Sequence, residues 1–378
     1  MKILYISMDD SIYGANRAML NLIDELNIHG CECEVLLSRK GIVERELKSR
    51  NIKYYIFKFC PWLVKNNETT IKNVLRKIYN KFAFYFISQK LKAQNYDIIH
   101  TNSSVTNLGV YLAKSWKCKH VWHIREDISV CQLKYIYRDS IVRRNYLKSD
   151  EIVTISRYIK YIQDEYLKTV RCKVVYDGIP IKHFNPPLKS RNENPVICVV
   201  GIIHPSKRQY EVCQAIKRLV DEGYSEVLCY VIGGIGDILY YRKIKEYINN
   251  NNLKKNIIFV GHIMHPDKYY QICDFGIMSS SGEGFGLVTI EFMVYYVMVI
   301  GSNAGATPEI IHNGKNGILY RSGDVDDLSS KIKWCIDHKT KCMDLAIQGN
   351  KDVQMKFSIQ KHGKQIMWIY NNLLKNEV

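Results

Sequence analysis

Residues 279–292 read SSSGEGFGLVTIEF, with Glu283 before a glycine-rich turn and Glu291 after it. The preceding DFGIMSS has the apolar composition of a buried strand. The following VTIEFMVYY predicts a buried helix that begins near Leu287 or Val288. Open α/β sheets bind their ligands at the carboxyl ends of the strands. The loop between this strand and this helix is therefore where we expect a binding site.

The chemistry of this loop favours a phosphate ligand that carries hydroxyl groups on both sides. Unpaired N–H groups in the first turn of a helix, approached closely through glycines, form an anion site that suits a diphosphate. Glu283 and Glu291 flank that site and can accept hydrogen bonds from neutral hydroxyls. A molecule with hydroxyls, a diphosphate and further hydroxyls is a nucleotide sugar. Taken alone, the two glutamates leave open the alternative that Glu283 is a loop acid and Glu291 a solvated or N-terminal helix acid.

Strand-like and helix-like segments alternate along the whole chain of 378 residues. A first series begins with KILYIS and the helical pattern NRAMLNLIDELNIHG, and a second series restarts at residue 196 with VICVVGII. This alternation predicts an α/β fold with two parallel sheets, each covered by helices on both faces. Residues 183–195, in a polar segment rich in proline, form the predicted linker between domains 1–182 and 196–357.

The formal net charge of +17 is concentrated in the first half of the chain. Residues 1–185 contain 31 Lys+Arg against 18 Asp+Glu, whereas the remaining residues contain 23 against 19. This distribution predicts attraction of the first half to an anionic partner, such as a membrane surface, a pyrophosphate-linked substrate or nucleic acid. The sequence shows no signal peptide and no apolar run of the ~18 residues that a spanning helix needs. We therefore expect a cytoplasmic protein that is soluble or peripheral on the inner face of the membrane.

The twelve cysteines are scattered, many of them inside apolar strand-like runs, and no two form a CxxC pair. A disulfide scaffold or a zinc site would need regular spacings of a kind that this chain lacks. We expect reduced, buried thiols of the sort found in cytoplasmic proteins.

Residues 71–92, IKNVLRKIYNKFAFYFISQKLK, contain six Lys or Arg and no acid. Helical spacing gathers the apolar and aromatic side chains on one broad face. A helix of this composition can lie in the headgroup region of an anionic membrane. The alternative is an outer helix of the first domain with its aromatic face in the core. The basic first half favours the membrane interpretation. A membrane location would also suit a substrate that is linked to a lipid through pyrophosphate, such as the acceptor of a sugar.

The blocks FVGHI, YYQICDFGIMSS, GEGFGLVTIEF and NAGATPEIIHNGKNGILY resemble, in order and spacing, the donor-binding half of retaining GT-B glycosyltransferases of family 4. The resemblance is close over residues 196–330 and looser over the first half, where HVWHIRED resembles members that assemble bacterial surface polysaccharides. It implies two Rossmann-like domains that face a cleft. It also implies that a C-terminal helix, residues 358–378, returns to the first domain.

The resemblance implies a role for each residue of the glycine-rich turn. Glu283 would hold the hydroxyls of the donor sugar, and Glu291 would hold the ribose hydroxyls. Backbone N–H groups would bind the sugar and the diphosphate; they belong to Gly284, Phe285, Gly286, Leu287 and Val288.

Two further loops would complete the donor site. In VGIIHPSKRQYEV, the loop begins at Gly201, and Lys207 falls where the family keeps a phosphate-binding lysine. A cation there would offset the charge of the leaving group, the alternative being a solvated loop lysine. At the end of FVG and in the loop after it, Gly261, His262 and Ile263 would line the nucleotide base.

In the first domain, Gly14 would lie under the diphosphate or the acceptor in the first βα turn. His123, at the end of a strand, falls where relatives place a histidine beside the donor sugar. The alternative is a structural histidine. Arg125 and Glu126 could form an ordinary ion pair. The family's Glu in the first turn is replaced by Asn16, which affects the acceptor side.

Several positions depart from the family pattern. Ile202 stands where the family usually has an arginine, so that a phosphate cation is lost unless Arg208 replaces it. After the second glutamate the family favours small residues, then Gly and Pro, where this chain has Phe292, Tyr296 and Met298. If the Gly position requires a positive φ, Tyr296 is strained there.

Three other motifs have simpler explanations. Asp324 and Asp326 resemble a DxD metal motif, but they directly precede a helical pattern and are better explained as N-terminal helix acids, so we predict no metal. Gly233 begins a glycine cluster whose spacing does not match the dinucleotide fingerprint. Asp9 and Asp10 are expected to be a structural turn pair.

Together these features predict a retaining hexosyltransferase that uses a nucleoside-diphosphate sugar, with UDP favoured over GDP. The acceptor would be a hydroxyl of a glycan or lipid-linked intermediate in surface polysaccharide biosynthesis. His123, Lys207 and Glu283 are the catalytic candidates, and no cofactor or metal is expected. The alternatives are a nucleotide-sugar epimerase or phosphorylase of the same fold, or a non-enzymatic binder of an anionic polymer. The absence of RNA-binding motifs argues against a nucleic-acid partner.

Overall fold

The computed structural model describes residues 1–8, 13–168, 172–182, 184–185 and 194–375. Contacts divide the chain into two units, Met1–Pro180 together with the last helix, and Ile181–Ser358. Most of the predicted linker lies outside the described residues, as do Asp9 and Asp10.

The first unit contains the strands β1 (Lys2–Ser7), β2 (Glu32–Leu37), β3 (Tyr54–Ile56), β4 (Leu63–Lys65), β5 (Ile98–Thr101), β6 (Lys119–Ile124), β7 (Leu133–Tyr135), β8 (Glu151–Thr154) and β9 (Lys173–Val174). Its helices are α1 (Gly14–Ile28), α2 (Ile42–Ser49), α3 (Thr70–Leu91), α4 (Leu108–Trp116), α5 (Asp139–Tyr146) and α6 (Arg157–Leu167).

The second unit contains the strands β10 (Val196–Val200), β11 (Leu228–Ile232), β12 (Ile257–Gly261), β13 (Phe275–Met278), β14 (Met298–Ser302) and β15 (Ile318–Tyr320). Its helices are α7 (Gln209–Asp221), α8 (Ile238–Asn250), α9 (Asp267–Ile272), α10 (Leu287–Val294), α11 (Thr307–Ile310), α12 (Val325–Asp337) and α13 (Lys339–Lys356). The last helix, α14 (Ile359–Lys375), belongs to the first unit.

The sheet of the first unit has the strand order β3-β2-β1-β5-β6-β8-β9, and all of its pairings are parallel. Helices α1 and α14 pack together over one face, where the core includes Ile3, Ile98, Val121 and Ile366. The order of the strands reverses between β1 and β5, as in other doubly wound folds.

Strands β4 and β7 pair with each other in a separate antiparallel ribbon, which the sequence pattern does not predict. The fully buried Trp62 anchors this ribbon, because its ring lies edge-on to Tyr135 at 5.0 Å and stacks on Trp122 of the main sheet at 5.4 Å.

The sheet of the second unit has the order β12-β11-β10-β13-β14-β15 and is also parallel throughout. The prediction of an α/β fold with two parallel sheets is therefore confirmed. Phe292, where the family has small residues, fits because it faces a glycine: a Cβ at Gly276 would lie 2.5 Å from its ring. Tyr296 adopts φ 55°, so the strain expected at this position is present.

The structure also shows the state of the cysteines and the position of Asp324. All twelve cysteines lie within the described residues, and each is a free thiol. Asp324 caps α12, because its side chain accepts a hydrogen bond from the N–H of Asp327 at 2.9 Å. The interpretation of this acid as part of a helix N-terminus is confirmed.

Helix α3 presents most of its apolar side chains to solvent. Eight large apolar residues are exposed, among them Ile71, Phe82 and Tyr85, whereas Ile87 and Leu91 near the end of the helix pack into the core. The alternative that places the aromatic face in the core is therefore wrong. No helix in the described part of the chain is long and apolar enough to cross a membrane.

Candidate functional site

The candidate site forms where the strand order of the second sheet reverses. Strand β10 lies between β11 and β13, so the loops after β10 and β13 leave the same edge of the sheet side by side. Chain connections diverge to opposite sides at such a point, which leaves a crevice above the strand ends. The first loop carries Lys207, and the second carries Glu283.

Hydrogen bonds join these two loops directly. The Ser279 hydroxyl donates to the carbonyl oxygen of Lys207 at 2.7 Å, and the N–H of Ser281 donates to the carbonyl oxygen of Ser206 at 2.9 Å. Loops held in this way position their side chains more rigidly than loops that contact only solvent.

Lys207 and Glu283 form an ion pair within this junction. Lys207 Nζ lies 2.5 Å from Glu283 Oε2, and both side chains are partly buried. Burial raises the pKa of the Glu283 carboxyl, but the charge of Lys207 and hydrogen bonds from Lys207 and Ser280 outweigh it and hold the pKa below its ordinary value. The carboxylate therefore stays ionised at neutral pH and can accept hydrogen bonds from neutral hydroxyls.

Gly305, in the loop after β14, supports Glu283 from the other side. The N–H of Ala306 donates to the carbonyl oxygen of Glu283 at 2.8 Å. Gly305 adopts φ 59°, and a Cβ at this position would lie 2.5 Å from the Glu283 nitrogen. No role for this glycine was predicted from the sequence, although it lies in the block NAGATPE that carries the family resemblance.

Helix α10 begins at Leu287, as predicted, directly after Gly286 in a left-handed conformation with φ 108°. Phe285 is buried, and its ring packs against Phe357 with centroids 5.5 Å apart. Gly284 lies between this anchor and Glu283 in the chain. The turn is therefore fixed at both ends, and the backbone of residues 284–288 lies at the N-terminus of α10.

Glu291, on α10, is a buried carboxylate. It is 6% exposed, and its Oε2 accepts a hydrogen bond from the Tyr270 hydroxyl at 2.7 Å. A buried, ionisable side chain with a fixed orientation does not fit the alternative of a solvated helix acid.

Arg208 adopts φ 52°, and its side chain contacts Ser322 and Glu211. Its Nη1 donates to the Ser322 hydroxyl at 2.9 Å, and its Nε lies 3.4 Å from Glu211. A role for Arg208 as a second phosphate cation stays a prediction.

Gly201 and Gly233 approach each other closely at the ends of β10 and β11. A Cβ at Gly233 would lie 1.9 Å from the carbonyl oxygen of Gly201, which explains this glycine without a dinucleotide. Ile202 stands in place of the family's arginine, and its side chain packs against Gly236. A Cβ at Gly236 would lie 2.6 Å from Ile202 Cδ1.

His262 follows β12, the edge strand of the sheet, and is exposed. The preceding Gly261 has φ 83°, which turns the chain at the strand end. Both residues lie at the carboxyl edge of the sheet, as predicted for a loop that contacts a ligand.

The first unit contributes Gly14 and His123. Gly14 begins α1, and the nearby Asn16 is buried and accepts a hydrogen bond from the Ser7 hydroxyl at 2.7 Å. His123 is fully buried near the end of β6, in the unit that does not contain Lys207.

Arg125 pairs with Asp177 and not with the carboxylate of Glu126, so the alternative of an ordinary ion pair between Arg125 and Glu126 is wrong. Arg125 Nη1 lies 2.6 and 2.8 Å from the two oxygens of Asp177. The Glu126 carboxylate instead accepts hydrogen bonds from the hydroxyls of Ser103 and Ser104.

His123, Asp177 and His362 place one potential metal-ligand atom each within 4.8 Å of one another. The hydrogen bonds and ion pairs of His362 and Asp177 argue against a metal ion at this cluster. Nδ1 of His362 accepts a hydrogen bond from the N–H of Gly178 at 3.1 Å, so the neutral ring carries its proton on Nε2 and has no lone pair left to coordinate a cation. The guanidinium of Arg125 already neutralises Asp177.

Comparison with known proteins places both halves of the chain. A family model described as Glycosyltransferase Family 4 matches residues 12–183, and one described as Glycosyl transferases group 1 matches residues 181–352. An uncharacterized glycosyltransferase of Methanocaldococcus jannaschii is 27% identical over 292 residues, which cover 75% of this chain and 77% of that protein.

A second relative matches half of the chain, and a solved structure shares the fold of the whole chain. The capsular polysaccharide biosynthesis glycosyltransferase CapM of Staphylococcus aureus is 29% identical over 191 residues, which cover 50% of this chain and 48% of CapM. The crystal structure of Anabaena HepE in complex with UDP-glucose has a TM-score of 0.81 at 18% identity and covers 98% of this chain and 100% of its own. Since the two family models together span residues 12–352, the chain belongs to the GT-B glycosyltransferases, with a Glycosyltransferase Family 4 half followed by a Glycosyl transferases group 1 half.

Proposed function

We propose that this glycosyltransferase moves a hexose-type sugar from a nucleoside diphosphate to a hydroxyl of a glycan or lipid-linked acceptor, with retention of the anomeric configuration. The observation that carries the proposal is the Lys207–Glu283 pair beside the N-terminus of α10. A cation for phosphate, a carboxylate for hydroxyls and a helix N-terminus occur together at one strand-end crevice.

The diphosphate would bind the N-terminus of α10, through backbone N–H groups of Leu287 and Val288. Gly286 allows close approach, since it carries no side chain over the turn. Lys207 would compensate the charge that develops on the leaving phosphate. Lys207 and the N-terminus of α10 would supply this compensation without a metal ion.

Glu283 would accept hydrogen bonds from hydroxyls of the donor sugar, which requires the ionised form that Lys207 stabilises. Glu291 would accept hydrogen bonds from the ribose, with Tyr270 fixing its orientation. The exposed loop at Gly261 and His262 would contact the base. From the first unit, Gly14 would lie near the diphosphate or the acceptor.

His123 would donate a hydrogen bond to the donor sugar. Its Nε2 is buried and has no hydrogen-bond partner among the residues that the structure describes. A buried polar atom of this kind is costly unless a ligand completes it.

The proposed reaction breaks the bond between the anomeric carbon and the diphosphate oxygen and forms a bond from that carbon to the acceptor oxygen. The acceptor would attack from the face that the nucleotide leaves, and the departing phosphate would take the acceptor's proton. No protein nucleophile is required, so the protein's contribution is orientation and charge stabilisation.

The similar proteins support the proposed donor and acceptor classes. HepE was crystallised with UDP-glucose, which favours UDP over GDP as the carrier. The capsular polysaccharide role of CapM favours an acceptor in surface glycan biosynthesis. Both assignments are proposals for this chain.

We further propose that α3 holds the protein at an anionic membrane. Its exposed apolar residues include Phe82 at 72%, Tyr85 at 67% and Leu75 at 60% exposure. Lys and Arg side chains accompany them, and residues 71–92 contain no acid. Apolar side chains can enter the interface while the cations bind anionic headgroups, which would bring the enzyme to a lipid-linked acceptor.

The function is tested by incubating the purified protein with UDP- and GDP-hexoses and lipid-pyrophosphate-linked glycans, and by measuring nucleotide release and the anomeric configuration of the product by NMR. Transfer with the donor's configuration supports the proposal, and an inverted product contradicts it. Conversion of the nucleotide sugar to its epimer without an acceptor would instead identify an epimerase.

A further inference from the structure

A line of buried polar side chains crosses the sheet of the first unit and ends at His123. The hydroxyls of Tyr5 and Tyr370 lie 2.8 Å apart, and the Tyr370 hydroxyl lies 2.6 Å from His100 Nδ1. His100 Nε2 in turn lies 3.2 Å from His123 Nδ1. All four side chains are fully buried.

The parallel register explains why these residues meet. Tyr5 on β1 pairs with His100 on β5, and His100 pairs with Val121 on β6. His123 lies two residues beyond Val121 and therefore on the same face of the sheet. Tyr370 reaches the line from α14, which packs on that face. One continuous line of polar side chains thus crosses the apolar core on this face.

Both histidines in the line are neutral. Burial lowers the pKa of His100 and of His123 well below the ordinary value, and the charge of Arg125 lowers both further. A neutral imidazole has one N–H donor and one acceptor nitrogen. The hydrogen bonds of the line can therefore be donated in only two ways, either all towards His123 or all towards Tyr5. The role of one imidazole nitrogen fixes the role of the other.

The contact of Arg125 with His123 indicates which of the two directions the line takes. Its Nη2 lies 3.5 Å from His123 Nδ1, and a guanidinium has hydrogen-bond donors only. Nδ1 of His123 is therefore the acceptor, and Nε2 of His100 donates to it. His100 Nδ1 then accepts from the Tyr370 hydroxyl, which accepts from Tyr5.

We propose that Tyr370 and His100 are positioning residues that hold His123 in the tautomer with its proton on Nε2. That nitrogen is buried and has no hydrogen-bond partner in the described part of the chain. The line thus presents a fixed N–H donor to an oxygen atom of a ligand. The identity of that oxygen, a hydroxyl of the donor sugar, rests on the proposed function; the tautomer does not.

The test compares two hydroxyl deletions in the same core, Tyr370→Phe and Tyr5→Phe. The protonated nitrogen of His123 is read by NMR of the full-length protein with ¹⁵N-labelled histidine, and His123→Gln identifies the resonance. We expect the wild type and Tyr5→Phe to carry the proton on Nε2, because Tyr370 still donates to His100. Tyr370→Phe removes that donor, so that only the long 3.5 Å contact from Arg125 still favours protonation on Nε2, and a measurable fraction of His123 should shift to the Nδ1-protonated form.

Two results would overturn the inference: a wild-type His123 protonated on Nδ1, or a Tyr370→Phe spectrum identical to that of Tyr5→Phe. Should Tyr370→Phe fail to fold, the wild-type spectrum still decides the direction of the line. In the transfer assay, Tyr370→Phe should lower kcat by about tenfold, whereas Tyr5→Phe should not. A tautomer shift without a kinetic effect supports the line and contradicts the sugar contact assigned to His123.

Discussion

Lys207 Nζ lies 2.5 Å from Glu283 Oε2, although 76 positions separate the two residues in the sequence. The contact joins the loops after β10 and β13, which become neighbours only because the strand order reverses there. One cation and one carboxylate thus meet at the crevice where α/β sheets bind ligands.

We expect Glu283→Gln and Lys207→Met each to lower kcat by about 100-fold, because each removes a charge that the transition state uses. Lys207→Arg keeps the charge and should recover part of the activity. Steady-state kinetics of the transfer reaction provide the measurement.

The ion pair between Lys333 and Glu222 is the matched control, since its atoms lie 2.6 Å apart on the exposed surface of the same unit. Lys333→Met and Glu222→Gln should leave kcat unchanged. A Glu283→Gln enzyme with kcat within about twofold of the wild type would rule out the role proposed for this carboxylate.

Gly305→Ala should impair both stability and kcat, because the new Cβ would lie 2.5 Å from the Glu283 nitrogen. Gly314→Ala is the control, because it introduces the same kind of backbone strain without a clash. Gly314 also has a positive φ, at 72°, but a Cβ there meets nothing within 4 Å.

Both variants bear the cost of a left-handed alanine, about 1–2 kcal/mol, and only Gly305→Ala should also lose activity. Thermal melting and kcat are measured for each. Equal melting temperatures and equal kcat values for the two variants would show that the Gly305 loop does not support Glu283.

Most of the second unit could be predicted from its sequence, because buried parallel strands are short apolar runs and the helices between them have regular apolar spacing. The start of α10 at Leu287 followed from the glycine turn before it. Local composition also predicted that Asp324 lies at a helix N-terminus.

The remaining features depend on contacts between distant segments. Strands β4 and β7 have three residues each and are held by the ring of Trp62, so no pattern within either strand identifies them. The partner of Arg125, Asp177, lies 52 positions away. Phe292 fits because of Gly276, a complementarity that only the packed structure reveals.

The free energy of unfolding should fall as the pH drops below about 6.5, because four buried histidines are neutral in the folded protein. Burial lowers the pKa of His120 to about 3 and of His362 to about 4, and those of His100 and His123 lie well below 6.5. The unfolded chain binds protons there that the folded chain does not, so stability rises with pH.

Urea unfolding between pH 5 and pH 8 measures this slope, roughly 1.4 kcal/mol per pH unit for each histidine that becomes charged on unfolding. Arg125 and Asp177 face the cluster of His100, His123 and His362 but not His120, so His120→Gln isolates one histidine. This substitution should lower the slope of the free energy of unfolding against pH by roughly 1.4 kcal/mol per pH unit, the contribution of one proton. An unchanged slope in His120→Gln would contradict the prediction.

Binding to vesicles should depend on the exposed face of α3. Phe82→Asp combined with Tyr85→Asp should weaken binding to phosphatidylglycerol vesicles at least tenfold, because two side chains that are 72% and 67% exposed lose their apolar contact with the interface. Trp368→Asp is the control, since this residue is 59% exposed on α14 of the same unit. Cosedimentation measures binding.

Phosphatidylcholine vesicles and high salt should each reduce binding of the wild type, because the cations of α3 require anionic headgroups. Equal binding of the wild type and the double variant would show that α3 does not contact the membrane.

The most direct test of the donor site is calorimetric titration of the wild type, Glu291→Gln and Glu246→Gln with UDP and GDP. Glu246 is an exposed acid on α8 of the same unit and serves as the control. We predict that UDP binds the wild type and the control equally. Glu291→Gln should bind it about 10- to 100-fold more weakly, because the ribose hydroxyls lose a carboxylate oxygen that accepts their hydrogen bonds. Failure of both nucleotides to bind, or undiminished binding by Glu291→Gln, would contradict the account.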